Sequence, residues 1–219
     1  VEGLTAYSWQ GELFTPEGER VSSEPACFET GPDIWQGGWI CGGQEDDRVL
    51  LFQKALQLDA PVKKARLYIC GLGYFIPMLN GKRLDESYFI PPLTNYTHRP
   101  DVDENHVGLG YRVTYYTYDV AALLQKGENV LQAQVAGGEF TNREKLNYEP
   151  QPDFSFGEAC LSFQLYLEDD RGGKRWIFSD ETVQVCRTNE TARLYSGDVI
   201  DFTKSCTPWE NARICAAPR

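Results

Sequence analysis

The clearest alternation of apolar and polar positions lies between Leu161 and Leu167. Leu161, Phe163, Leu165 and Leu167 fall on one face, with Ser162, Gln164 and Tyr166 on the other. A period of two predicts a strand with its leucines inward and the intervening residues outward. Asp169-Asp-Arg-Gly-Gly173 then turns the chain into Arg175-Trp-Ile-Phe178, which closes a hairpin. Earlier, the runs Ala65 to Cys70 and Tyr74 to Leu79 meet at Gly71 and Gly73, and the second stops at Asn80-Gly81. That pattern reads as strand, sharp bend, strand and two-residue turn, because Asn and Gly tolerate the positive φ such a turn requires. Pro77 has no N–H to give a ladder, so its strand is expected at an edge or a bulge. Val49 to Leu58 is a further strand whose apolar positions change phase midway, as at a bulge.

The remaining pattern is also strand and turn. Residues 1 to about 35 read as short strands around a Pro16-Glu-Gly18 turn. A strand is predicted from Tyr111 to Tyr118, with Tyr111, Val113, Tyr115 and Thr117 on one side. Asp119 follows as the cap of a helical turn from Val120 to Leu124, with Gly127 ending it. Asn129 to Val135, Thr182 to Arg187 and Leu194 to Phe202 complete the set, and long irregular excursions run from Ser87 to Gly110 and from Glu139 to Gly157. There is no internal repeat, low-complexity tract or long amphipathic helix. Regularly spaced strands with turn signals predict an all-β, antiparallel β-sandwich.

Composition narrows the partners. The chain has 219 residues, of which 42% are hydrophobic and 13% aromatic, enough for one sizeable core and suited to strands and to stacking on sugars. A formal charge of −11 argues against nucleic acid, whose binding by counterion release needs a basic face. No apolar run is long enough to span a bilayer, which argues against a membrane partner. The seven cysteines are odd in number and scattered, without a C-x-x-C pair, and only two histidines accompany them. Reduced thiols and a cytoplasmic setting are therefore expected, with Cys70 and Cys160 acting as small core hydrophobes. The first residue is not Met and no secretion signal follows it, so the chain reads as a segment of something longer.

An ordered series of pieces resembles the N-terminal β-sandwich region of bacterial α-L-rhamnosidases. The pieces are Ala65-Arg-Leu-Tyr-Ile-Cys-Gly-Leu-Gly-Tyr74, the Leu79-Asn-Gly-Lys-Arg-Leu84 turn, Pro91-Pro-Leu-Thr-Asn-Tyr96, the stretch Thr117 to Leu131, and Leu194-Tyr-Ser-Gly-Asp-Val-Ile-Asp-Phe202. Phe28 to Ile40 is similar to the join that precedes this domain in that family. The resemblance implies a jelly-roll, galactose-binding-like sandwich over 39–205, remnant strands of a preceding fibronectin-type domain or N-terminal extension over 1–38, and a linker over 206–219. Trp35 and Trp39 would anchor the join. It also implies a parent that is a glycoside hydrolase, with this piece an ancillary domain packed on a catalytic (α/α)-barrel of the same chain. The alternative is a structural spacer without a ligand site.

Catalytic chemistry is expected elsewhere. A glycosidase needs two carboxyl groups held across a pocket, and no segment here fixes such a pair. There is no Gly-x-Ser-x-Gly elbow, and His98 and His106 both lie in the proline-rich loop, where solvated side chains are the plainer reading. Some members of the resembled family carry a calcium-dependent rhamnose site in this module. Three stretches could build one, with Asn80, then Asn95 and Tyr96, then Gly138, Glu139 and Asn142 as the sugar-binding candidates. At the third, Gly138-Glu139-Phe140 stands where Gly-Trp-Tyr is common, which removes a stacking tryptophan. No cofactor is called for; calcium is the one metal left open, with Asp101 and Asp103 as its weak candidates.

Overall fold

A computed structural model describes residues 1–43, 47–92, 94, 113–141 and 156–216. It divides into two units, Val1–Gln36 and Gly37–Arg219. In the first, β1 (Ala6–Trp9) pairs antiparallel with β4 (Ala26–Glu29), and β2 (Glu12–Phe14) with β3 (Arg20–Ser22). The Tyr7 and Phe28 rings stack at 5.3 Å across the β1–β4 pair. Leu13, Phe14 and Val21 remain exposed, so these two ribbons do not close a core of their own.

The second unit carries β5 (Ile40–Cys41), β6 (Arg48–Leu58), β7 (Val62–Leu72), β8 (Tyr74–Leu79), β9 (Lys82–Arg83), β10 (Tyr116–Asp119) and β11 (Gly127–Ala136). It continues with β12 (Cys160–Asp169), β13 (Lys174–Phe178), β14 (Gln184–Thr191), β15 (Val199–Ile200), β16 (Glu210–Asn211) and β17 (Arg213–Ile214). Among the described residues one sheet runs β10-β7-β12-β5-β17, with β13 also on β12, and the other runs β15-β14-β6-β11-β8-β9, with β16 on β14. All the pairs are antiparallel, and the two layers form a jelly-roll-like sandwich.

Gly73 moves the chain from one layer to the other. Its φ is +107°, and a Cβ there would lie 2.1 Å from the Ala136 carbonyl oxygen, so only glycine fits between β7 and β8. At the far end of β8, Asn80 (φ 51°) and Gly81 (φ 76°) form the expected tight turn into β9. Pro77 is tolerated for a visible reason. Its carbonyl accepts the Leu84 N–H at 3.0 Å, so its missing N–H faces the same, β9 side, where β9 pairs only with Met78 and Leu79.

The apolar faces of the two sheets meet in one core of Leu50, Phe52, Phe75, Leu131, Leu161 and Phe163 with their neighbours, each side chain stabilising by about 1.5–3 kcal/mol when fully buried. The expected outward face of β12 is a correction. Ser162, Gln164 and Tyr166 are buried as completely as the leucines between them. Tyr166 packs edge-on against Trp176 at 5.2 Å, and Trp176 stacks with Phe178 at 6.0 Å, so aromatic rings from β13 help cover the outer face. Ser162 donates to the Gly37 carbonyl at 3.0 Å.

Other local expectations also change. β6 pairs with β11 from Leu58 to Leu50 without interruption, so there is no bulge in that ladder. The apparent phase change arises because Lys54 occupies a position in register with Leu50, Phe52, Leu56 and Leu58. Its ammonium escapes to Asp180 at 2.6 Å and Thr182 at 2.9 Å. The strand expected from Tyr111 begins only at Tyr116 among the described residues. The turn after it is 3-10, Ala121–Leu123, with Val120 at its N-cap position, and Asp119 accepts the Ala121 N–H at 3.2 Å from one residue further back. Gly127 opens β11 rather than closing a helix. Nor is the chain beyond Cys206 only a linker, because β16 and β17 pair with β14 and β5.

Candidate functional site

The three stretches singled out by sequence meet different fates. Asn80 is committed to the turn. Its Nδ2 donates to the Leu123 carbonyl and to Asn129 Oδ1, both at 2.9 Å, and its Oδ1 accepts the Val130 N–H at 2.9 Å. Asn95, Tyr96, Asn142, Asp101 and Asp103 lie outside the described residues, as do His98 and His106. Gly138 and Glu139 are described, and they face groups that the sequence pattern did not bring together.

Gly138 adopts φ +51°, and a Cβ on it would approach the Tyr74 ring to 2.7 Å. The missing Cβ therefore lets the Tyr74 ring pack directly on Gly138, two residues past the end of β11. Tyr74 in turn holds Phe89 edge-on, ring centres 5.4 Å apart. Phe89 is 71% exposed and has a positive φ of 56°, which a bulky L residue seldom adopts. The loop that carries it is tied down where the Phe75 N–H donates to the Ile90 carbonyl at 2.9 Å. Glu139 accepts from the Tyr195 hydroxyl at 3.4 Å. Burial pushes the Tyr74 phenol above its ordinary value, and the nearby Glu139 carboxylate and Tyr195 push it in the same direction.

The result is a rim at one end of the sandwich with an exposed ring, two phenols and a carboxylate. Phe140, which follows, turns inward onto Leu72 and Cys160 and stacks with Phe156 at 6.0 Å. Phe140, standing where the resembled family commonly has Tyr, is thus part of the packing. Phe89, Tyr74 and Tyr195 were not sequence candidates. Only the neighbouring Tyr88-Phe89 pair ahead of two prolines hinted that an aromatic would be presented there.

A second polar feature is a basin of about 480 Å³ bordered by Gly43, Glu158, Arg187, Glu210 and Arg213. Arg213 Nη2 reaches both Glu158 oxygens, at 2.9 and 3.2 Å. Arg187 donates to the carbonyls of Gly42 and Gly43. Its charged groups are thus engaged with one another and with the backbone. Among the described residues no cluster of three or more His, Cys, Asp or Glu side chains is arranged to hold a metal ion.

A two-layer antiparallel sandwich of this strand order places the chain in the class of jelly-roll-like modules. Residues 60–218 match the family model of the alpha-L-rhamnosidase N-terminal domain, and the chain belongs to that family. An alpha-L-rhamnosidase of Streptomyces avermitilis is 30% identical over 224 residues, covering 94% of this chain and 20% of its own length. One from Formosa agariphila is 28% identical over 161 residues, 72% of this chain and 16% of its own length. The chain thus spans about a fifth of the curated relatives it matches. Among solved structures, the alpha-L-rhamnosidase of Dictyoglumus thermophilum superposes with a TM-score of 0.78 at 23% identity, covering all of this chain and 26% of that one. A Streptomyces avermitilis enzyme complexed with L-rhamnose gives 0.62 at 22% identity, covering 93% of this chain and 22% of that one. These likenesses establish the fold.

Proposed function

We propose that this chain is a non-catalytic ancillary module of an α-L-rhamnosidase-like glycoside hydrolase. It packs on the catalytic barrel of the same parent and binds a terminal rhamnose or a related sugar at the rim of Tyr74, Phe89, Glu139 and Tyr195. The observation that carries the sugar site is Phe89, an exposed ring held at positive φ against Tyr74. An aromatic face stacks on the C–H face of a sugar, and a carboxylate with nearby phenols can bond vicinal hydroxyls. The second reading, a spacer without a ligand site, is favoured by Asn80, whose amide is already engaged in the turn.

Calorimetric titration with L-rhamnose, galactose and glucose, with and without calcium, separates the two. Heat with rhamnose supports the module, and heat only with calcium present adds a metal to it. No heat with any sugar supports the spacer. Release of nitrophenol from a nitrophenyl rhamnoside by the purified chain would overturn the non-catalytic assignment.

A further inference from the structure

The segment from Cys206 to Cys215 crosses between the two sheets. Its β16 lies on β14, and its β17 lies on β5 in the opposite layer. Both of its ends carry a cysteine, and each meets another thiol. At the first end, the Thr207 N–H donates to the Arg187 carbonyl and the Arg187 N–H to Thr207 Oγ1, both at 2.9 Å. These bonds hold exposed Cys206 beside buried Cys186, with the two thiols in hydrogen-bonding reach.

At the second end, strand register sets the geometry. Cys41 stands opposite Cys160 across the β5–β12 pair, and Arg213 stands opposite Cys41 across the β5–β17 pair. Side chains two residues apart share a face of a sheet, so Cys215 joins the face that holds Cys41 and Cys160. The Cys215 N–H donates to the Trp39 carbonyl at 2.9 Å, and its half-buried thiol lies within reach of both the other sulfurs. The three thiols belong to one small apolar cluster with Leu72 and Phe140.

We propose that residues 206–215 are a strap that low-molecular-weight disulfides staple to the sandwich, through a Cys186–Cys206 bridge at one end and a bridge from Cys215 to Cys41 or Cys160 at the other. With oxidised glutathione as the oxidant, the more accessible thiol loses its proton and attacks one glutathione sulfur. The glutathione S–S bond breaks, and one glutathione leaves as a thiol after taking up that proton. The neighbouring buried thiol then loses its proton, attacks the mixed disulfide and expels the second glutathione. Each bridge therefore oxidises two cysteine thiols and reduces one glutathione disulfide to two thiols. Burial pushes the Cys186 thiol up to about 11. Hydrogen bonding to Cys160 leads the causes that push Cys215 up to about 12. The thiolate is the nucleophile, so stapling is slow at neutral pH and accelerates as pH rises.

The test is intact mass and peptide mapping of the whole chain after incubation with oxidised glutathione and alkylation of the remaining thiols. The expected product carries two internal bridges, identified by cross-linked peptides, and retains no glutathione. Its urea midpoint rises and returns when dithiothreitol is added. Cys206→Ser is expected to keep only the Cys215 bridge, and Cys215→Ser only the Cys186–Cys206 bridge. Glutathione retained on Cys206 or Cys215, a bridge running to Cys27, or cross-links between chains would overturn the proposal. A wild-type chain that closes only one bridge refutes the strap as well, because its other end remains free.

Discussion

Asn80 Nδ2 donates to Asn129 Oδ1 at 2.9 Å, and with the bonds between Asn80 and Val130 this ties the β8–β9 turn to the entry of β11. Asn129 is 1% exposed, and its side chain also accepts the Gln125 N–H and donates to the carbonyls of Gln125 and Gly127. Asn129→Ala removes an acceptor and a donor from this network, whose other members, Asn80, Gln125 and Gly127, are exposed or half-buried and can turn partly to water. The expected loss is about 1–2 kcal/mol in urea unfolding. Asn80→Gly keeps the positive φ and should cost less. A double mutant whose loss equals the sum of the two single losses would show that the pair is not coupled.

The entry of the chain into the sandwich supplies a second prediction. The Ser179 hydroxyl donates to the Gly38 carbonyl at 2.6 Å and accepts the Phe163 N–H at 3.0 Å. A Cβ on Gly37 would lie 2.3 Å from the Phe163 carbonyl oxygen, whereas one on Gly38 meets nothing nearer than 3.2 Å. Gly37→Ala must displace backbone in the central strand of its sheet and is expected to lower the thermal midpoint much more than Gly38→Ala. Ser179→Ala leaves a buried N–H without its acceptor and should cost about 1–3 kcal/mol. Equal midpoints for the two glycine variants would refute this account of where the module begins.

These particulars mark where the sequence was informative. Gly73 and Asn80-Gly81 were readable because a turn is decided by two or three adjacent residues and by the φ values they allow. The burial of Ser162 and Tyr166 was not, since a period of two separates the faces of a strand but says nothing of what later covers the second one. Lys54 misled for a related reason: its partner Asp180 lies far along the chain. The rim was the least legible. Tyr74, Phe89, Glu139 and Tyr195 come from four separate segments, and no local spacing joins them.

Alkaline stability should report on Tyr118. Its hydroxyl donates to the Asp85 carboxylate, which also accepts the Ser87 N–H at 2.9 Å. Burial foremost, with the Asp85 bond and charge, raises the phenol well above its ordinary value. The folded state therefore favours the protonated phenol. This contribution to stability is complete below the unfolded tyrosine's pKa of about 10 and is lost as pH rises from there toward the folded value. Tyr118→Phe should be less stable than wild type at pH 8 and should lose less stability between pH 9.5 and 11. Some slope should persist, because Tyr74 and Tyr116 are also raised. Parallel curves for the two proteins would show that Tyr118 titrates alike folded and unfolded.

The proposed sugar binding at the rim predicts a mutational signature distinct from loss of fold. Phe89 is 71% exposed, so Phe89→Ala leaves the described core intact while removing the stacking face. Rhamnose affinity should fall about 5- to 30-fold, because losing one ring of a small polar site costs on the order of 1–2 kcal/mol. Glu139→Gln keeps the shape of the side chain and one carbonyl acceptor but removes its charge. It should weaken binding less than Phe89→Ala and should bring the Tyr74 phenol down toward its ordinary value, since the Glu139 carboxylate is one of the causes holding it up. Ultraviolet titration of the phenols follows that change without any ligand. A Phe89→Ala protein that binds rhamnose as wild type does would move the sugar away from this rim, while the Tyr74 titration would still report whether Glu139 faces it.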